Sequence, residues 1–135
     1  MEVVFEPRYA IGPARNPGQA WLRELILDPS HPGREWGEAL ITFRDAHRTS
    51  ELIVINDRDL GHYLKYEPTG DTWLSLGDAA RLSEVICPDD WKASAGLFLA
   101  PQKAWIAISE FCRSGARSLD VEWIRPADMP DDGNW

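Results

Sequence analysis

The chain lacks most of the features that mark specialised classes of protein. Its two cysteines, Cys87 and Cys112, are too few for a disulfide framework. No apolar run reaches about 18 residues, so we expect no membrane-spanning helix. The first seven residues carry neither a basic start nor a long apolar stretch, so we expect no secretory signal and a cytoplasmic location. No repeat or linker divides the 135 residues, which predicts one domain of ordinary size.

The chain also has few basic residues relative to its acidic ones. The chain has 14 Lys and Arg against 22 Asp and Glu, a formal net charge of −8. A protein that binds nucleic acid needs cations to neutralise phosphates, so this balance argues against that class. Residues 51–90 alone hold nine acids and three bases. This segment is either a solvated surface that keeps the protein soluble or a patch for a cationic partner.

Motifs that carry chemistry are absent as well. The sequence contains no GxGxxG, GxxxxGK[ST], HExxH or CxxC, so we expect no cofactor and no metal. The histidines, His31, His47 and His62, are scattered. Acid pairs such as Asp57 and Asp59 are more simply turn formers than the paired carboxylates of a hydrolase. We therefore expect no catalytic residue and no enzyme activity.

Apolar periodicity and turn residues predict the secondary structure. A first helix is expected with Asn16 as its cap and Pro17 at its first position, and a second from Pro101 to a closing Gly115. The first strand is expected at Val3–Phe5. The other expected strands are 38–43, 52–55, 62–67, 72–76, 85–87, 96–99 and 119–123.

Consecutive strands joined by hairpin links, one of them at Pro68-Thr69-Gly70-Asp71, predict a mostly antiparallel sheet. Two helices packed on one face of it would give a single two-layer α+β domain over residues 1–125. Residues 126–135 hold three Asp, two Pro and one Gly and are expected to form a loose acidic tail. Cys112 lies on the apolar stripe of the second helix and is expected to be buried.

The chain holds seven tryptophans, an unusually large number. Trp21, Trp105 and Trp123 fit the apolar faces of predicted elements and are expected in the core. Two others, Trp36 and Trp91, fall in predicted loops. Trp73 fits either the core or an interface, where Trp is enriched among the residues that dominate binding.

Several stretches of the second half share a known pattern. They are Gly61-His62-Tyr63-Leu64-Lys65-Tyr66, Leu74-Ser75-Leu76-Gly77, Ala104-Trp105 through Glu110-Phe111, Gly115, and Val121-Glu122-Trp123. Over residues 38–125 the chain resembles the first-numbered family of immunity proteins from bacterial polymorphic toxin systems. Members are small, often acidic α+β proteins that end in a helix, a glycine and a strand carrying V-x-W.

The resemblance implies a protein that binds and neutralises a cognate toxin domain, often a nuclease or a nucleic-acid deaminase. It supplies no catalytic residues. Because such toxins are cationic, we expect the acidic middle segment to bind the partner. The expected contacts are Asp57, Asp59, Glu67, Asp71 and Asp78, with Trp73 as an anchor. The alternative is a small-ligand or adaptor domain with an apolar pocket between sheet and helices.

Overall fold

A computed structural model describes residues 1–8, 12–28, 37–87, 92–130 and 135. Within these ranges the chain forms two α-helices and ten strands. The helices are α1 (Gln19–Leu27) and α2 (Pro101–Ser114). The strands are β1 (Glu2–Pro7), β2 (Ala14–Arg15), β3 (Glu38–Arg44), β4 (Thr49–Asp57), β5 (Gly61–Pro68), β6 (Trp73–Leu76), β7 (Val85–Ile86), β8 (Ala93–Ser94), β9 (Phe98–Leu99) and β10 (Glu122–Ile124).

Eight of these strands build one large antiparallel sheet in the order β10-β6-β5-β4-β3-β1-β2, with β9 also paired to β5. Strands β7 and β8 pair with each other in a separate two-stranded sheet. Strand β4 is central because its run from Leu52 to Ile55 is apolar and mostly β-branched, which suits a position between two partners. The hairpin links on both sides of β4 set the antiparallel pairing. The predicted α+β domain, with its two helices on one face of the sheet, is confirmed.

The main core lies between the sheet and the helices. Alternate strand residues such as Phe5, Ile41 and Leu52 point towards the helices and are almost fully buried. Both helices present an apolar stripe to them. Its buried members are Leu22, Leu25, Ile26, Ala104, Ala107, Ile108, Phe111 and Cys112.

A second, smaller core covers part of the other sheet face. Ile55, Tyr63 and Leu74 point to that side and pack against Leu97 and Phe98. These last two residues belong to the segment between β6 and α2. Met129 and Trp135 join the same cluster from the end of the chain.

Strand β5 has two partners along its outer edge. Strand β6 pairs with Lys65 and Tyr66, and β9 pairs with His62 and Tyr63. The buried hydroxyl of Ser75 fills the gap between them. Its Oγ accepts the Leu64 N–H at 2.9 Å and donates to the Leu97 carbonyl at 2.6 Å.

The predicted start of the first helix is wrong. Asn16 does not cap α1, because it pairs with β1 instead. Its Oδ1 accepts the Val3 N–H at 2.8 Å, and its own N–H donates to the Val3 carbonyl at 2.6 Å. This pairing holds Asn16 at a φ of 48°. The helix therefore begins at Gln19, with Gly18 as its cap residue and Pro17 outside it.

Two predicted strands are shorter than expected. The strand predicted at 96–99 starts only at Phe98, because Ala95–Leu97 forms a 3-10 turn. The side chain of Ser94 caps this turn, since its Oγ accepts the Gly96 N–H. The strand predicted at 119–123 starts at Glu122, and Leu119 lies in the preceding turn with 89% of its surface exposed.

The end of α2 matches the prediction, since Gly115 closes it with a φ of 70°. The same conformation would strain any other residue, and a Cβ here would also overlap the Phe43 ring. Beyond β10, Pro126–Asp128 forms a 3-10 turn and Met129 is buried. The rest of the predicted tail, 131–134, lies outside the described residues.

Trp123 offers a test of this packing. It lies half-buried against the main core, 6.2 Å from the Tyr66 ring, and its indole N–H donates to the Ser118 carbonyl at 2.8 Å. We expect Trp123→Ala to lower the free energy of unfolding by about 3 kcal/mol, as large-to-small core changes do. Leu119→Ala is the control and should change it by less than about 0.5 kcal/mol. Equal denaturation midpoints for the two variants would contradict the packing.

Candidate functional site

The six residues predicted to bind a partner do not form one patch. Asp57 and Asp59 lie at the end of β4, whereas Glu67, Asp71 and Trp73 lie near the opposite end of the strand. Glu51 marks that opposite end, six residues before Asp57. At about 3.3 Å per residue, the separation is roughly 20 Å. The acidic middle segment is thus divided between distant parts of the sheet.

Two of the five predicted carboxylates hold turns. The Oδ1 of Asp57 accepts the N–H groups of Asp59 and Leu60, each at 2.9 Å. The Oδ1 of Asp78 accepts the Ala80 N–H at 3.0 Å and so caps the 3-10 turn Ala79–Arg81. Side-chain bonds of this kind are the usual reason for Asp in turns. Asp59 itself is exposed.

An acidic depression lies at the other end, where the β4 start meets the β5–β6 hairpin. Its volume is about 410 Å³. It contains three carboxylates, from Glu51, Glu67 and Asp71. The complete lining is Thr49, Glu51, Glu67, Pro68, Thr69, Gly70, Asp71 and Thr72. This acidic depression is the candidate site.

Two carboxylates of the depression face each other across the sheet. Glu51 on β4 pairs in register with Glu67 on β5. Like charges directly opposite one another on neighbouring strands destabilise a sheet. Lys65 partly offsets the repulsion, since its Nζ lies 3.4 Å from Glu67 Oε1. Within the described ranges, Glu51 makes no ion pair, so it keeps an uncompensated negative charge at the site.

Asp71 is already occupied by neighbouring donors. Its Oδ1 accepts from the Thr72 N–H at 2.9 Å and from Arg125 at 2.8 Å, and its Oδ2 accepts the Trp73 indole N–H at 3.0 Å. The Thr72 N–H, followed by the charge and hydrogen bonds of Arg125 and Trp73, lowers the pKa of Asp71 below its ordinary value.

Trp73 is half-buried and contacts two arginines. The guanidinium carbon of Arg117 lies 3.8 Å from the centre of the Trp73 ring, and that of Arg125 lies 3.9 Å from it. Both distances suit cation–π interaction. The indole also packs against the main core. A partner that used Trp73 as an apolar anchor would therefore have to displace at least one arginine.

Three residues at or beside the site, Glu51, Arg117 and Arg125, are not among those predicted from the sequence. Glu51 is part of the site because the β4–β5 register places it opposite Glu67. Arg117 and Arg125 come from the loop after α2 and from the end of β10, more than 40 residues from Trp73 in the sequence. The turn residues from Asn56 to Gly61, which join β4 to β5, are the sequence signal that bears on the Glu51–Glu67 pairing.

None of the other described candidates for chemistry lines the depression. His62 is fully buried, with its Nε2 3.3 Å from the Ile26 carbonyl, and His47 is exposed. Cys87 is exposed and Cys112 is buried, as predicted for Cys112. His31, Trp36 and Trp91 lie outside the described residues.

In the described part of the chain, no three His, Cys, Asp or Glu side chains come together in a way that would hold a metal ion. No helix in the described ranges has the length and apolar character needed to cross a membrane.

Comparison of the chain with family models, with curated proteins and with solved structures gives no match.

The bonds of Asp71 predict a pH effect. Because its pKa is lower in the folded state than in the unfolded chain, its stabilising contribution is complete above about pH 4 and is lost as the pH falls below that value. Asp71→Asn should therefore lower the melting temperature at neutral pH, and the difference from the parent should shrink in acid. The exposed Asp59→Asn is the control. A difference that stays constant from neutral to acid pH would contradict the assignment.

Proposed function

We propose that the protein is a cytoplasmic immunity protein that binds and neutralises a cognate bacterial toxin domain, and that it is not an enzyme. The proposal starts from the resemblance over residues 38–125. The stretches that carry it occupy neighbouring elements: β5, β6, α2 and the segment leading into β10. Three of these elements, β5, β6 and β10, are consecutive in the sheet.

The observation that carries the proposal is the pair Glu51 and Glu67 in the acidic depression. Two carboxylates in register repel each other, and Lys65 forms an ion pair with Glu67. A lysine or arginine from a partner, placed in the depression, would relieve this repulsion. The free protein thus holds a charge arrangement that a cationic partner completes.

Electrostatic magnitudes indicate what the depression contributes. Exposed ion pairs supply only about 0–1 kcal/mol each, whereas nanomolar binding needs about 12 kcal/mol. Carboxylates at the rim of an interface mainly raise the association rate, and desolvated contacts set the dissociation rate. We therefore assign Glu51 and Glu67 to partner capture. Asp71, already bound to Arg125, supports the shape of the site.

The toxin can be sought in the genome. Immunity genes of these systems stand beside the gene of their toxin, so the adjacent large open reading frame supplies the candidate domain. Co-expression should protect cells from that domain, and the two proteins should form a complex. Failure of the neighbouring domain to bind, or binding without protection, would remove the basis of the proposal.

The alternative prediction, a small-ligand or adaptor domain, has one observation in its favour. A mainly apolar groove does lie between strand β1 and the two helices. It shares no lining residue with the acidic depression.

Glu51→Gln provides the sharpest test, because it should move stability and binding in opposite directions. Removing one charge of the Glu51–Glu67 pair should raise the free energy of unfolding by about 0.2–1 kcal/mol. The same change should slow association with the toxin domain and flatten its salt dependence. Chemical denaturation and stopped-flow association at low and high salt give the two readouts.

Asp59→Asn is the matched control. It removes the same charge from an exposed position about 20 Å away along β4, and it should change neither quantity appreciably. If Asp59→Asn slows association as much as Glu51→Gln does, total charge drives binding and the depression has no special part. If Glu51→Gln stabilises the fold and leaves association unchanged, the partner binds elsewhere.

A further inference from the structure

The groove lies where the start of β1, the first turn of α1 and the last turn of α2 meet. Its volume is about 490 Å³, within the range of about 300–1,000 Å³ that small-molecule sites occupy. The surface of its lining is mainly apolar. The lining residues are Met1, Val3, Asn16, Pro17, Gly18, Gln19, Cys112 and Arg113.

The wall of the groove is fixed before any ligand binds. The two hydrogen bonds between Asn16 and Val3, at 2.8 and 2.6 Å, hold the approach to α1 against β1. Cys112 closes the opposite side from α2 and is 6% exposed. Burial raises the pKa of its thiol to about 12, so this side stays uncharged at neutral pH. A pre-formed apolar wall avoids the ordering cost of binding.

One end of the groove is positively polarised. Because Asn16 is engaged with Val3, α1 begins at Gln19 with no side-chain cap from the described residues. The first turn contains no acidic residue, so its N–H groups and the helix dipole present a positive end.

Arg113, on the neighbouring turn of α2, adds a cation to the same lining. It also lies 2.6 Å from Glu110, at a pair that is largely open to solvent. A guanidinium has five N–H donors, so this pair leaves donors for a second carboxylate.

We propose that this groove binds an aliphatic monocarboxylate. Its hydrocarbon chain lies against Val3, Pro17 and Cys112, and its carboxylate lies at the first turn of α1 beside Arg113. Charge complementarity selects this class: the polar end of the groove is positive, and the remainder is apolar. The site involves none of the residues of the acidic depression and does not depend on the proposed function.

Three ligands of equal chain length test the proposed selectivity. Octanoate, octanamide and octylamine carry a negative, a neutral and a positive head on the same apolar tail. Titration of isotope-labelled protein, followed by NMR, should show saturable shifts at Val3, Gly18 and Cys112 with octanoate. Binding of octanamide should be about tenfold weaker, because the charge-assisted hydrogen bonds are lost. Octylamine should not bind there.

Gly18→Asp tests the polar end from the protein side. A Cβ at Gly18 meets nothing within 4 Å, and a φ of −66° accepts any L-residue. An Asp here would cap α1 with its own carboxylate. We expect a higher melting temperature together with at least a tenfold loss of octanoate affinity. Gly12→Asp is the matched control, because a Cβ there is equally unhindered, and it should preserve octanoate binding.

A second pair of variants tests the cation without altering the helix start. Arg113→Gln should weaken octanoate about tenfold and leave octanamide unchanged. Lys103→Gln, which removes an exposed cation near the other end of α2, should change neither. The proposal is overturned if octanoate shows no saturable shift in the groove at millimolar concentration. It is equally overturned if octanamide binds as well as octanoate, or if both Gly18→Asp and Arg113→Gln retain full affinity.

Discussion

The fold depends on the place where β5 changes partners. Its outer edge is bonded to β9 at His62 and Tyr63 and to β6 at Lys65 and Tyr66. Between these pairings the Leu64 N–H would be buried without a strand to receive it, and such a group is costly. Ser75 Oγ accepts that hydrogen bond, and its hydroxyl donates one to the Leu97 carbonyl. This hydroxyl joins three segments and allows an irregular segment to cover the second face of the sheet.

The end of α2 is the second point on which the candidate site depends. The Gly115 carbonyl accepts from Ser50 Oγ at 2.7 Å and from the Tyr66 hydroxyl at 3.1 Å. These bonds tie the helix end to β4 and β5. The chain that leaves Gly115 then supplies Arg117 and, after β10, Arg125 to the Trp73 ring. The hairpin beside the acidic depression is thereby held on its inner side by residues from the last fifth of the sequence.

Net charge alone gives a poor picture of the acidic surface. Asp57 and Asp78 bond to backbone N–H groups, and Asp71 bonds to Arg125. Glu51 is left uncompensated because the β4–β5 register brings it to Glu67 without a basic partner among the described residues. At the same end of the sheet, where Val3, Phe43 and Ser50 are in register, the uncapped start of α1 gives the groove a positive end. The structure thus separates an anionic and a cationic region that an acidic composition does not indicate.

The sequence by itself determined the class of fold. Period-two apolar strands, the Pro68–Asp71 turn and the Pro101–Gly115 helix signals are local, and each acts within a few residues of itself. They also predicted the burial of Cys112. Tertiary structure decided that Asn16 bonds to Val3, which residues form the second core, and which residues surround Trp73. Asn16 carries the ordinary signal of a helix cap, yet Val3 offers it two hydrogen bonds from 13 residues away. The Glu51–Glu67 pair and the Arg117–Trp73–Arg125 contacts likewise depend on strand register and chain return, because residues far apart in sequence meet only after the sheet has formed.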